Sequence, residues 1–169
     1  MRANETGWRG NSAPPVPDQP RKVTPMTLHS EGHQARLLHT MLRVRDLDRA
    51  LDFYCTSLGM REIRRETFPE GQFTLVFVGY GEEADSTVIE LTHNWGENAY
   101  THGTGFGHIA VEVADVEKAC SNLAQAGVPV IRPAGPMSHA PIETGQREMI
   151  AFITDPDGYR IELVERKRA

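Results

Sequence analysis

Along residues 37–44, LLHTMLRV, side chains alternate with the period of two that a strand requires. Leu38, Thr40, Leu42 and Val44 share one face, and His39, Met41 and Arg43 share the other. The next stretch, RDLDRALDFYCTSLGM, changes period. Leu47, Ala50, Leu51, Tyr54 and Leu58 recur at helical spacing, and Asp46 stands where an N-cap belongs. Three further strands are predicted at 61–68, 73–80 and 86–92, separated by PEGQ and GEEAD. The order then begins again. GHIAVEV (107–113) reads as a strand, and ADVEKACSNLAQAG as a helix ending at Gly127. VPVIRP and REMIAFITD follow as strands, and YRIELVE closes the pattern after the turn DPDG.

The second half repeats the first. HTMLRVRDLDRA and HIAVEVADVEKA match without a gap at His39/His108, Val44/Val113, Asp46/Asp115 and Ala50/Ala119, an offset of 69 residues. VIELT and RIELV match with Glu90 over Glu162, an offset of 72. Two copies at so long a period exclude a solenoid and leave a duplicated βαβββ module. The predicted organisation is a disordered N-terminal extension over 1–36, a first module over 37–100 and a second over 101–169.

The repeat changes what His39 means. A single histidine among apolar neighbours is ordinarily a core or surface residue. Here His39 and His108 begin equivalent strands, and Glu90 and Glu162 hold equivalent points in the last strands. Glu90 opposes Ile89 and Leu91, Glu162 opposes Ile161 and Leu163, and His108 opposes Ile109, Val111 and Val113. The apolar sets can pack on helices, which leaves the four polar groups on the concave side of the sheets.

Composition narrows the partners. A formal charge of −5 with no long Lys/Arg run argues against nucleic acid and against an acidic membrane surface. No apolar run approaches the ~20 residues that span a bilayer. NSAPPVPDQPRKVTP is too rich in proline to pack or to form an amphipathic transit helix, and no secretory h-region precedes it. Cys55 and Cys120 lie in predicted helices without metal or redox spacing, as small buried thiols of a cytoplasmic protein would. His139 stands in a loop with no partner at ligand spacing and reads as a surface residue.

HTMLRVRDLDRALDFYCTSLGM (39–60) and GTGFGHIAVEVAD (103–115) resemble the two signatures of the glyoxalase I (lactoylglutathione lyase) family of the vicinal oxygen chelate superfamily. VIELTHNWG and DPDGYRIELVE are similar to the segments that bear the family's metal-binding glutamates. The likeness runs from residue 37 to about 165. It implies an α+β fold of two βαβββ modules forming half-barrel sheets. It implies a lyase that turns the methylglyoxal–glutathione hemithioacetal into S-D-lactoylglutathione, a detoxification reaction. Carried over by position, it implies that His39, Glu90, His108 and Glu162 hold one divalent metal, with Glu162 the principal base and Glu90 acting on the other face of the substrate. Arg43 and Asn94 match residues that contact glutathione. Arg43 shares a strand face with His39, which suits a pocket-lining side chain, with a solvated surface charge as the lesser alternative, and Asn94 is as readily a turn residue as a contact.

The family further implies a homodimer whose metal sites each take His39 and Glu90 from one subunit and His108 and Glu162 from the other. Thr104 stands where the zinc-dependent eukaryotic enzymes carry an arginine, which favours nickel or cobalt while leaving zinc open. The stretch 135–149 is longer than the matching loop of short bacterial relatives and lies near the glutathione end, so a different thiol is an alternative. Methylmalonyl-CoA epimerases, extradiol dioxygenases and drug-sequestering proteins share the fold. The first carry glutamine at position 90, the second need only one glutamate, and the third lack the metal set.

Overall fold

Alternation in HTMLR becomes strand β1 (His39–Arg43), where Leu42 and the following Val44 are buried while Met41 and Arg43 are exposed. The structure, a computed structural model, describes residues 35–167; most of the predicted 1–36 extension lies outside the described residues. Asp46 caps helix α1 (Leu47–Leu51) by accepting from the Arg49 amide at 3.1 Å. The helix continues into a π-helical segment (Asp52–Ser57). Strands β2 (Arg61–Phe68), β3 (Phe73–Gly79) and β4 (Val88–Asn94) complete the first sheet, ordered β1-β4-β3-β2.

The second sheet copies it. Strand β5 (Ile109–Val113), helix α2 (Val116–Gln125), and strands β6 (Val130–Pro136), β7 (Met149–Thr154) and β8 (Arg160–Glu165) give the order β5-β8-β7-β6. In both sheets the first strand pairs in parallel with the last, and the remaining pairs are antiparallel. Asp115 caps α2 as Asp46 caps α1, accepting from the Lys118 amide at 2.8 Å. The described residues from Leu37 onward belong to one compact unit. Its core joins Leu42, Leu91 and Val76 of the first sheet to Leu163, Ile161 and Ile153 of the second, with Ala50, Tyr54, Val116 and Leu123 from the helices. Burying each such branched side chain contributes about 1.5–3 kcal/mol, which fixes the strand faces.

Several boundaries differ from expectation. Leu37 and Leu38 precede β1 and are exposed, since the pairing with β4 begins at His39. Strand β4 runs from 88 to 94 instead of 86 to 92, because β3 pairs with it as far as Phe73 against Asn94. Strand β6 extends to Pro136, taking Gly135 and Pro136 out of the predicted loop. It is an edge strand, where proline's missing donor is tolerated. The π-helical segment was not foreseen, and it resolves a mismatch of the repeat. Gly59 follows Asp46 by thirteen positions, whereas Gly127 follows Asp115 by twelve. Both glycines end their helices at positive φ, so the wider turn absorbs the extra residue.

Candidate metal centre and substrate pocket

Glu90 occupies the third position of β4, opposite Met41 of β1 and Phe77 of β3. His39 lies two residues before Met41, and its Nε2 stands 3.1 Å from Glu90 Oε2. The second module reproduces each part. Glu162 lies opposite Ala110 and Phe152, His108 lies two residues before Ala110, and His108 Nε2 stands 3.1 Å from Glu162 Oε2. Phe77 meets the His39 ring edge-on at 5.7 Å, and Phe152 meets His108 at 5.3 Å. Each imidazole therefore has an apolar wall that limits its tilt. Both carboxylate side chains are 14% exposed, while the imidazoles reach 33% and 42%.

These pairs fit a metal in chemistry and spacing. Two ligand atoms at about 2.1 Å from one ion and at right angles lie roughly 3.0 Å apart. The imidazole–carboxylate separations match that value, and no thiolate is present. The two pairs do not merge within the chain: among the described residues no cluster of three or more His, Cys, Asp or Glu could hold an ion. One chain thus carries two separate His–Glu pairs.

The halves are not identical. Thr92, buried beside Glu90, donates its hydroxyl to Glu90 Oε1 at 3.0 Å. At the corresponding position after Glu162 stands Val164, which has nothing to donate. Glu90 is held at both carboxylate oxygens, whereas the second oxygen of Glu162 lacks that hydroxyl. Arg64 stacks over Phe77 with its guanidinium carbon 3.4 Å from the ring centroid and bonds Glu83 and Glu66. Arg132 holds the equivalent register position opposite Phe152, but donates to the carbonyls of Gly135, Ile150 and Pro136.

Arg43 shares the exposed face of β1 with His39 and Met41. With Met41, Tyr100, His102, Phe106 and Tyr159 it lines a cavity of about 450 Å³. Asn94 is the last residue of β4, not a turn residue, and donates to Tyr100 Oη at 3.1 Å. Of the two predicted substrate contacts, Arg43 lines this cavity and Asn94 bonds Tyr100 of its wall. His139 is exposed in the 137–148 loop. Sequence reasoning missed Phe77, Phe152, Thr92 and Tyr159. The first two had a signal: LVFV (75–78) aligns with IAFI (150–153), phenylalanine over phenylalanine.

Tyr159 ties the second module to the first. Its hydroxyl accepts from the Arg43 amide at 3.2 Å and donates to the Arg43 carbonyl at 3.1 Å. Burial pushes this phenol above its ordinary range.

The glyoxalase/bleomycin resistance protein/dioxygenase superfamily model matches residues 36–163. A lactoylglutathione lyase of Neisseria meningitidis serogroup A is 54% identical over 132 residues, covering 78% of this chain and 91% of that protein. One from Escherichia coli O157:H7 is 51% identical over 134 residues, covering 79% and 95%. The solved trypanothione-dependent glyoxalase I of Leishmania major superposes with a TM-score of 0.66 at 44% identity, covering 78% of this chain and 87% of that one. With its duplicated βαβββ sheets and a His–Glu pair in each, the chain belongs to the glyoxalase/bleomycin resistance protein/dioxygenase superfamily and, within it, to the lactoylglutathione lyases.

Proposed function

We propose that two copies of this chain form a homodimer in which His39 and Glu90 of one copy, with His108 and Glu162 of the other, hold one divalent metal. There the enzyme isomerises the methylglyoxal–glutathione hemithioacetal to S-D-lactoylglutathione. The observation that supports this most is the match between two candidate half-sites: His–Glu pairs at 3.1 Å on equivalent strands, neither completed to a larger cluster among the described residues. Strands β1 and β5 are both edge strands, and Leu37, Leu38 and Met41 are exposed along β1, which suits a second copy as cover.

The reaction moves one proton between adjacent carbons. A divalent ion supplies a Lewis acid for the negative charge that develops on the substrate oxygens. Glu162 removes the proton from the sulfur-bearing carbon and returns it to the neighbouring carbonyl carbon. A carboxylate can do this only if it can leave its resting position, and Val164 leaves Glu162 without the hydroxyl that restrains Glu90. Glu90 acts on the opposite face of the substrate. Arg43 and Asn94 contact glutathione, whose carboxylates suit a guanidinium and an amide. Phe77 and Phe152 give each imidazole an apolar wall.

An N and O donor set does not by itself choose among nickel, cobalt and zinc; Thr104 favours nickel or cobalt. The loop over 137–148 makes another low-molecular-weight thiol the alternative co-substrate. No helix among the described residues is long and apolar enough to cross a membrane, and the free thiols of Cys55 and Cys120 suit the cytoplasm. A spectrophotometric assay of thioester formation from methylglyoxal and glutathione, with nickel, cobalt and zinc compared, tests the activity. Glu162→Gln is expected to fold and bind metal while losing most turnover; near-normal turnover refutes its role as base.

A further inference from the structure

Where the two modules meet, the turn 155–159 of the second grips the first. Asp155, 4% exposed, accepts through Oδ1 from the amides of Asp157 and Tyr159 and through Oδ2 from Tyr54 Oη. Asp157 accepts from the Arg45 guanidinium at 2.7 Å and from its amide at 3.1 Å, and Arg45 also donates to the Pro156 carbonyl. Tyr159 completes the grip on Arg43. Its ring stacks on His102 at 4.1 Å and meets Phe106 edge-on at 5.4 Å, both in the segment joining the modules.

We infer that Tyr159 is a positioning residue for substrate: its hydroxyl clamps both backbone groups of Arg43 and so sets where that guanidinium meets the thiol portion of the hemithioacetal. The parallel pairing supports this. In β1 the Leu38 carbonyl and the Val44 amide bond β4, so Arg43, one residue out of phase, turns its amide and carbonyl to the open edge. Without Tyr159 those groups would have only water, and the end of β1 would be free to shift. The device is not duplicated. Thr87 holds the position equivalent to Tyr159, and its hydroxyl goes to the Leu37 carbonyl in its own module. Tyr159 also leads directly into β8, three residues before Glu162, so the same clamp joins the binding arginine to the strand of the base.

The inference rests on Arg43 as a substrate contact, and a double-mutant cycle separates the two. Tyr159→Phe keeps the stacked ring and removes only the hydroxyl. It is expected to raise KM for the glutathione hemithioacetal roughly three- to tenfold with a much smaller change in kcat. In an Arg43→Ala background the same change is expected to have no further effect on KM. A shift in Tm without the KM change, or a Tyr159→Phe effect that persists undiminished in Arg43→Ala, overturns the clamp as a positioning device. If Arg43→Ala itself leaves KM unchanged, the assignment of Arg43 to substrate fails instead. Should Tyr159→Phe fold poorly, Asp157→Asn loosens the neighbouring Arg45 contact and is expected to raise KM in the same direction; no change in KM again overturns the clamp.

Discussion

Tyr54 donates its phenolic hydrogen to Asp155 Oδ2 at 2.9 Å, linking a helix of the first module to a turn of the second across 101 residues. Tyr54 is fully buried and Asp155 nearly so. Burial and the neighbouring carboxyl push the phenol far above its ordinary range, so it acts only as a donor here. Tyr54→Phe leaves a buried carboxylate oxygen with no other protein donor to it among the described residues. The expected cost is about 1–3 kcal/mol, read as a Tm lower by roughly 2–8 °C in thermal unfolding.

The same carboxyl makes stability depend on pH. Burial is the largest influence on Asp155 and raises its pKa, outweighing the hydrogen bonds from Tyr159, Tyr54 and Asp157. A carboxyl whose pKa is higher folded than unfolded favours folding when protonated. Its contribution is complete below the ordinary carboxylate value of about 4 and is lost as pH rises through the raised value. Comparison with Asp155→Asn cancels the other carboxylates. The stability of wild type relative to that variant is expected to fall across this window and then level off in pH-resolved denaturant titrations; a constant difference contradicts the assignment.

Thr92→Val converts the Glu90 half-site into a likeness of the Glu162 half-site. Removing the hydroxyl frees Glu90 Oε1 while leaving strand β4 and its packing in place. Metal affinity is expected to drop about tenfold, in line with the loss of other residues that orient ligands, with Tm of the metal-free protein changed little. Calorimetric titration with nickel checks this. Val164→Thr, by contrast, is expected to restrain Glu162 and lower kcat while metal affinity holds or rises.

Much of this was legible in the chain because burial enforces it. Leu42, Val44, Ile89, Leu91, Ile161 and Leu163 must all face helices, and that obliges His39, Glu90 and Glu162 to face the other way. Asp46 announced its helix because a cap acts within three residues, and Asp115 repeats that cap in the structure. What escaped was non-local or a matter of register. DPDG read only as a turn, since nothing in four letters tells that Asp155 and Asp157 bind Tyr54 and Arg45 more than 100 residues away. The Tyr159 hydroxyl had no visible partner for the same reason. The ends of β4 and β6 depend on which strand lies alongside, so Asn94 looked like a turn and Gly135 like a loop.

The sharing of each metal site between chains is tested most directly by subunit complementation. One variant carries His39→Ala and Glu90→Gln, the other His108→Ala and Glu162→Gln, and each is expected to be inactive alone. Unfolding and refolding them together at equal concentration should restore about a quarter of wild-type activity, because half the dimers are mixed and one of their two sites is intact. A mixture that forms dimers yet stays as inactive as its components would place all four ligands within one chain and contradict the shared site.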